Sequence, residues 1–230
     1  MRPTGFSTGA LAKGDFQTAL KWLEATDTDA IELSALREEE LPELLQAIDG
    51  LNLGRFCYKS IHAPKEFGRL SEHEAVDMLL PFAKKGFRII LHPDAIHDPK
   101  AWTTLGDALC IENMDMRKRT GRTVRELRSI FEQLPESKLC LDLGHARQVD
   151  PSMAVAFHLM HAFGDRLEEI HASEVDTGGN HVRMSRPCIE AFNQLSRHIK
   201  DNVAIIIESQ VLQDGLNDEI ASTRELFSDK

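Results

Sequence analysis

Histidine, aspartate and glutamate residues recur in this sequence at or just after the ends of short apolar runs. The residues in this position are His62, His92, Glu112, Asp142, His145, His171 and Glu208. One polar residue of this kind is ordinary, but several carboxylates packed together without a cation would repel one another and raise their pKa values. Imidazole and carboxylate groups are common ligands of zinc, manganese and iron, and the histidine content makes magnesium the least suitable ion. If the fold brings these residues together, the pattern predicts a divalent-metal site.

The apolar runs alternate with helical patterns along the whole chain. The predicted strands are residues 4–8, 30–33, 56–62, 87–92, 108–113, 138–143, 167–172 and 203–208. Continuous apolar runs such as "VAIIIE" are typical of parallel strands covered on both faces. Eight βα pairs, with no Gly-rich phosphate turn after the first strand, favour a closed barrel over an open dinucleotide-binding sheet. We therefore predict an α/β fold, a single (β/α)8 TIM barrel domain over residues 1–230, whose strand ends converge on one mouth.

The predicted helices have recognisable start signals. Ser71 and Glu74 have the spacing of a capping box, and the same signature precedes the helix that follows Thr123. Asp150 is the predicted N-cap of a helix that contains Pro151 and runs to residue 163. The other predicted helices are residues 16–25, 41–48, 71–85, 187–199 and 219–227.

Five short segments give the chain a resemblance to a known group of proteins. "SIHAP", "LHP", "IEN", "CLDLGHA" and "IIIES" resemble motifs of the xylose isomerase-like barrels, which include endonuclease IV, the sugar 3-epimerases, hydroxypyruvate isomerase and inosose dehydratase. The resemblance covers predicted strands two to eight. It implies the TIM barrel fold, and in the epimerase-like members it implies one metal ion held by four residues. Those residues are Glu112, Asp142, His171 and Glu208.

The endonuclease-like members of this group hold further ions. The resemblance implies His62 and His92 as additional ligands, with Glu112 bridging, and a second additional pair formed by His145 and His181. The pattern of these members has an aspartate two residues before the last histidine. Gly179 stands there in this chain, and Asp176 is close enough in sequence to substitute for it. This departure counts against the third ion.

The residues lead to three functional hypotheses. The first is a metal-dependent isomerase or epimerase of a sugar, sugar phosphate or similar hydroxy-ketone, with Glu112 and Glu208 as catalytic base and acid beside the carbonyl. The second is an endonuclease IV-like hydrolase that cleaves phosphodiesters with several metal ions. The third is a metal-binding barrel without catalytic activity.

Basic residues near the predicted mouth could bind an anionic group of a small-molecule substrate. Arg117 and Lys118 follow Glu112 on one loop, Arg147 follows "LGH", and Arg183 lies on the loop after strand seven. Arginine side chains match the oxygens of phosphates and carboxylates. We therefore predict an anion-binding role for these four residues.

Composition bears on whether the protein binds nucleic acid or a membrane, and on its compartment. The net charge is -10, with 37 acidic and 27 basic residues, which disfavours a nucleic-acid partner. No apolar run approaches the ~20 residues of a membrane span, and the first residues lack the pattern of a signal peptide. Four cysteines without CxxC spacing, three of them in strand-like segments, predict buried free thiols and a cytoplasmic protein. The oligomeric state is left open, a homo-oligomer included.

Overall fold

Eight parallel strands form a closed barrel in residues 2–228, the part of the chain that the computed structural model describes. The strands are β1 (Thr4–Ser7), β2 (Ala30–Ser34), β3 (Tyr58–His62), β4 (Arg88–Leu91), β5 (Leu109–Glu112), β6 (Lys138–Asp142), β7 (Leu167–Ala172) and β8 (Ala204–Ile207). Each strand pairs with its neighbours in sequence, and β8 pairs with β1. The predicted α/β fold and (β/α)8 barrel are confirmed. That residues 1–230 make up one domain stays a prediction.

Helices cover the outside of the barrel. They are α1 (Phe16–Leu23), α2 (Glu40–Ala47), α3 (Glu72–Lys84), α4 (Pro99–Trp102), α5 (Val124–Gln133), α6 (Leu143–Val149), α7 (Ala154–Phe163), α8 (Arg186–Ser196) and α9 (Leu216–Leu226). Both predicted capping boxes are present, because Ser71 and Thr123 each accept a hydrogen bond from the backbone of the glutamate three residues later. The capped helices begin where the sequence predicts.

The structure corrects the predicted helix with Pro151 inside it. Helix α7 starts only at Ala154, after Met153 in the left-handed region with φ 64°. Asp150 is not the N-cap residue. Its side chain accepts hydrogen bonds from the backbone N–H groups of Ser152 and Val155 and so stabilises the turn that precedes the helix.

Two further elements had no clear signal in the sequence. The short helix α6 begins directly after Asp142, whose side chain accepts a hydrogen bond from the backbone N–H of His145. In the loop after β7, Glu174–Val175 pairs with His181–Val182 as an antiparallel hairpin. Two-residue strands are too short to produce an alternating pattern, so the sequence could not reveal this hairpin.

The cysteines only partly match the prediction of buried thiols. Cys110, Cys140 and Cys188 are buried, whereas Cys57 is exposed, and all four are free. The prediction is wrong for Cys57, because β3 begins only at Tyr58 and the preceding residue lies at the end of the barrel. In residues 2–228 no helix is long and apolar enough to cross a membrane.

Candidate metal centre

The strand ends bring the predicted ligands to one side of the barrel. His62, Glu112 and Asp142 are the last residues of β3, β5 and β6, while His92 and Glu208 follow β4 and β8 directly. These side chains are almost entirely buried, and even Glu208 is only 13% exposed. The barrel geometry therefore converges on them as the sequence predicts.

Glu112 lies between two pairs of imidazole rings. Its Oε2 is 3.2 Å from Nε2 of His62 and 3.2 Å from Nε2 of His92. Its Oε1 is 3.2 Å from Nδ1 of His145 and 3.4 Å from Nδ1 of His171. Each carboxylate oxygen thus faces its own pair of histidines, so Glu112 could contribute to two ligand groups.

Three groups of side chains at the mouth have ligand atoms close enough to hold a metal ion. In each group these atoms lie within 4.8 Å of one another. The groups are His62, His92 and Glu112; Glu112, Asp142, His171 and Glu208; and Asp142, His145 and His181. The first two share Glu112 and the last two share Asp142, so the groups form one continuous centre. The eight candidate ligands of these groups are the residues that the sequence and its family resemblance indicate.

Unsatisfied polar atoms indicate that this centre suits a cation. Asp142 Oδ2, His171 Nδ1 and Glu208 Oε2 are buried and make no hydrogen bond with other described residues. A buried polar atom without a partner costs about 1–3 kcal/mol. A divalent ion bound between these residues could satisfy such atoms, because Asp142, His171 and Glu208 belong to one ligand group. The residues present therefore fit a metal ion.

The pKa shifts at the centre show how each group would respond to a bound cation. Burial raises the pKa of Asp142, and the neighbouring carboxylates of Glu208 and Glu112 add to this shift. Burial also lowers the pKa of His92, which favours the neutral imidazole. Burial alone would raise the pKa of Glu112, but the surrounding histidines hold it well below its usual range. A metal ligand must be deprotonated. A bound cation would favour the ionised form of Asp142, and it would have to displace a proton from His145 and His171, because neighbouring carboxylates outweigh burial and raise the pKa of both imidazoles.

The loop after β7 departs from the endonuclease-like pattern in its structure as well as in its sequence. Gly179 has φ +81°, and a Cβ atom there would lie 1.7 Å from Nη1 of Arg117. Arg117 is held in this place by Asp115 and by the carbonyl oxygen of Gly178. The guanidinium group therefore occupies the space into which a longer side chain at residue 179 would project.

Asp176 does not replace the missing aspartate. Its carboxylate accepts hydrogen bonds from the backbone and side-chain nitrogens of Asn180. The ligand group that contains His145 and His181 has Asp142 as its carboxylate. Like the group of His62, His92 and Glu112, this group therefore has a single carboxylate, which it shares with the four-residue group.

We expect Gly179→Ala to lower the free energy of unfolding by about 1–3 kcal/mol, because alanine at positive φ is strained and its Cβ would displace Arg117. Chemical denaturation measures the change. Gly86→Ala is the matched control, since Gly86 has φ +83° but nothing within 4 Å of its added Cβ. An equal loss in both variants would mean that Arg117 moves aside at no cost.

The four cations predicted to bind an anion each have a carboxylate partner. The pairs are Arg117 with Asp115, Lys118 with Asp94, Arg147 with Glu174, and Arg183 with Glu219. Arg117 and Lys118 line a cavity of about 290 Å³ over the metal centre, and Arg147 and Arg183 are not among its lining residues. The structure thus brings two of the four to the candidate site.

The sequence reasoning missed three residues that belong to this region. Lys65 lines the cavity, and Glu32 and Glu169 lie fully buried in the barrel interior. Glu169 precedes His171 by two residues in the same strand, a spacing that places both side chains on one face. That spacing could have identified Glu169. Lys65, three residues after His62 in "HAPK", had no comparable signal.

Comparison with known proteins shows the fold. No family model matches the chain, and no curated protein matches it in sequence. A crystal structure of an IolI protein with a bound zinc atom is 13% identical, covers 99% of this chain and 98% of its own, and has a TM-score of 0.63. SacUVDE is 14% identical over 98% of this chain and 99% of its own, with a TM-score of 0.57. A xylose isomerase domain protein from Alicyclobacillus acidocaldarius subsp. acidocaldarius is 12% identical over 99% and 98%, with a TM-score of 0.59.

Proposed function

We propose that this chain, which has the fold of the xylose isomerase-like barrels, is a metal-dependent hydrolase. It would cleave a phosphate ester at a centre of two or more ions. The observation that carries this proposal is the position of Glu112 between two imidazole pairs. A site for one ion would need only Glu112, Asp142, His171 and Glu208. It would leave His62 and His92 buried beside Glu112 without a chemical role.

Phosphate-ester cleavage is the chemistry that best uses such a centre. When bound, divalent ions would neutralise charge on the phosphate oxygens and activate a water molecule for attack on phosphorus. His62 and His92 with Glu112 would hold one ion, and Glu112 with Asp142, His171 and Glu208 would hold another. The bound zinc of the IolI neighbour is compatible with this ligand chemistry. The histidine content favours zinc, manganese or iron over magnesium.

The chain itself keeps these ligands in fixed positions. Asn113 donates a hydrogen bond to the carbonyl oxygen of Asp142 and accepts one from the backbone N–H of the same residue. Nδ1 of His145 lies 3.0 Å from the carbonyl oxygen of Asn113. These contacts connect the ends of β5 and β6 and orient the His145 ring. Ligands held in this way need little reorganisation when the reaction occurs.

A metal-dependent sugar isomerase or epimerase is the second candidate. Glu112 and Glu208 each approach Nδ1 of His171 to 3.4 Å, so two carboxylates flank one place where a substrate carbonyl could bind. They would serve as base and acid on the two sides of that carbonyl. The cavity of about 290 Å³ suits a small sugar.

Parallel assays with the two substrate classes separate these candidates. Protein purified without chelator would be incubated with bis(4-nitrophenyl) phosphate and, separately, with a panel of free ketoses. We expect saturable release of nitrophenol that a chelator abolishes and added zinc or manganese restores. Ketose turnover without phosphodiester cleavage would reject the hydrolase and favour the isomerase.

Lys65 is a cation of the cavity that is free to meet a substrate. It lines the cavity, and its side chain forms no hydrogen bond or ion pair with another described residue. Burial lowers the pKa of His181, and the positive charge of Lys65 adds to this shift. The lysine therefore acts electrostatically on the metal centre, where a phosphate group would bind.

We expect Lys65→Gln to raise the KM for bis(4-nitrophenyl) phosphate by about tenfold, the loss of one charge-assisted contact at an exposed position. Steady-state kinetics measure the change. Lys118→Gln removes the same charge from the same cavity, but Lys118 is already paired with Asp94 at 2.6 Å, so its KM should rise less than threefold. Equal increases in both variants would show that the overall charge of the cavity, rather than Lys65, attracts the substrate.

A further inference from the structure

We propose that Glu169 is a positioning residue, which fixes the ring of His171 so that one nitrogen faces the carboxylate and the other faces the metal centre. Glu169 lies inside the barrel, one layer below the ligands. The inference rests on the metal centre of the proposed function. It holds equally for the hydrolase and for the isomerase, because His171 is a ligand in both.

The ring of His171 connects two layers of the barrel interior. Its Nε2 is 2.8 Å from Oε1 of Glu169. Its Nδ1 is 3.4 Å from Oε1 of Glu112 and 3.4 Å from Oε2 of Glu208. Nδ1 makes no hydrogen bond within the described part of the chain. An N–H at Nε2 that donates to Glu169 therefore leaves a lone pair on Nδ1, directed at the other ligands.

Glu169 is itself held in place from the opposite side. The hydroxyl of Tyr58 in β3 donates a hydrogen bond of 2.7 Å to Oε2 of Glu169. Both oxygens of this carboxylate are therefore engaged, one by Tyr58 and one by His171. With its rotation fixed at both ends, Glu169 can hold the imidazole at one angle.

A second buried carboxylate strengthens the case. Oε2 of Glu32, in β2, is 3.2 Å from Nε2 of His171. Glu32, Glu169 and His171 are each completely buried. The interior layers of such barrels are usually filled by branched apolar residues, and burying a carboxylate is unfavourable unless a partner compensates for the lost water. Two carboxylates directed at one imidazole indicate that this ring needs an acceptor for the hydrogen on Nε2.

Metal-binding histidines usually have such an acceptor beside the ring nitrogen that does not bind the metal. A carboxylate that accepts a hydrogen bond from the second ring nitrogen fixes the tautomer and the ring orientation, and it makes the ligating nitrogen more basic. Loss of such a partner typically weakens metal binding by about 10- to 100-fold. Glu169 suits this role because it is 2.8 Å from Nε2 of His171, is fully buried, and is held in place by the hydroxyl of Tyr58.

The adjacent residue provides a matched control. Glu168 points to the opposite face of β7, where it is 24% exposed and pairs with Arg88 at 2.8 Å. Glu168→Gln and Glu169→Gln therefore remove the same charge from neighbouring positions of one strand. Only the second removes it from His171.

The test is the affinity of the full-length protein for zinc alone, measured by competition with a chromogenic chelator. We expect Glu169→Gln to weaken zinc binding by about 10- to 100-fold and Glu168→Gln to change it less than threefold. In proton NMR spectra of the zinc-loaded protein, the imidazole N–H resonance of His171 should move upfield in Glu169→Gln, because a neutral amide accepts a weaker hydrogen bond. His171→Gln identifies that resonance by its loss.

If Glu169→Gln does not fold, Tyr58→Phe tests the same role, because it removes only the hydroxyl that donates a hydrogen bond to Glu169. We expect this variant to bind zinc several-fold more weakly and to shift the same resonance. Equal zinc affinity in the Glu168 and Glu169 variants, or an unmoved His171 resonance, would overturn the proposal, and so would a wild-type protein that binds no zinc. Absence of phosphodiester cleavage with intact zinc binding would reject only the proposed hydrolase.

Discussion

Glu112→Gln is expected to abolish metal-dependent turnover, with kcat/KM reduced at least about a thousandfold, which corresponds to about 4 kcal/mol of transition-state stabilisation. Glu112 belongs to two of the three ligand groups and faces four imidazole rings. Glutamine has nearly the same shape but carries no charge and cannot bridge two cations. Kinetics with bis(4-nitrophenyl) phosphate and elemental analysis of the same sample measure the effect.

Glu132→Gln is the control for this variant, because Glu132 is an exposed residue of α5 and its replacement changes the net charge equally. Its activity and metal content should equal those of the wild type. Wild-type turnover in Glu112→Gln with normal metal content would mean that Glu112 is not a ligand needed for the reaction.

The double variant His62→Gln/His92→Gln is expected to lose one ion per chain and to cleave the phosphodiester at least about a hundredfold more slowly. Both imidazoles face Oε2 of Glu112 at 3.2 Å, whereas the group of Glu112, Asp142, His171 and Glu208 remains complete. An enzyme that needs two ions should therefore lose activity while it keeps one ion. Elemental analysis and hydrolysis rates on the same sample measure both quantities.

The matched control replaces His158 and His161, which are exposed on α7, in the same way. These histidines lie on the outside of the barrel, so neither metal content nor rate should change. If instead His62→Gln/His92→Gln kept its full metal content and its rate, the two buried histidines would have no role in the centre, and the one-ion isomerase would become the better explanation.

The barrel could be predicted because its strongest signals are local. The run "AIII" of β8 is buried at every position, and a strand covered on both faces must be apolar throughout. Polar residues at or just after the ends of several strands then face the barrel mouth, so the sequence alone could predict that Glu112 and Glu208 lie near one another. The elements that the sequence missed, α6 and the hairpin with His181, are short and depend on contacts with the barrel.

The contacts between charged side chains and distant parts of the chain could not be predicted from the sequence. Whether Arg117 is free or bound depends on Asp115 and on the backbone of Gly178, which lies 61 residues away in the sequence. The reason for glycine at residue 179 is likewise a contact with Arg117. A sequence shows which charges are present, but the fold decides which of them neutralise one another.

The number of ions in the centre is the most direct test of this account. Elemental analysis of wild-type protein, purified without added metal or chelator, gives the ratio of zinc, manganese and iron to chain. We predict a summed ratio of about two or more, because Glu112 belongs to one ligand group with His62 and His92 and to another with Asp142, His171 and Glu208. A ratio of one would contradict the multinuclear hydrolase and leave the isomerase, with its single ion at Glu112, Asp142, His171 and Glu208, as the better description of this protein.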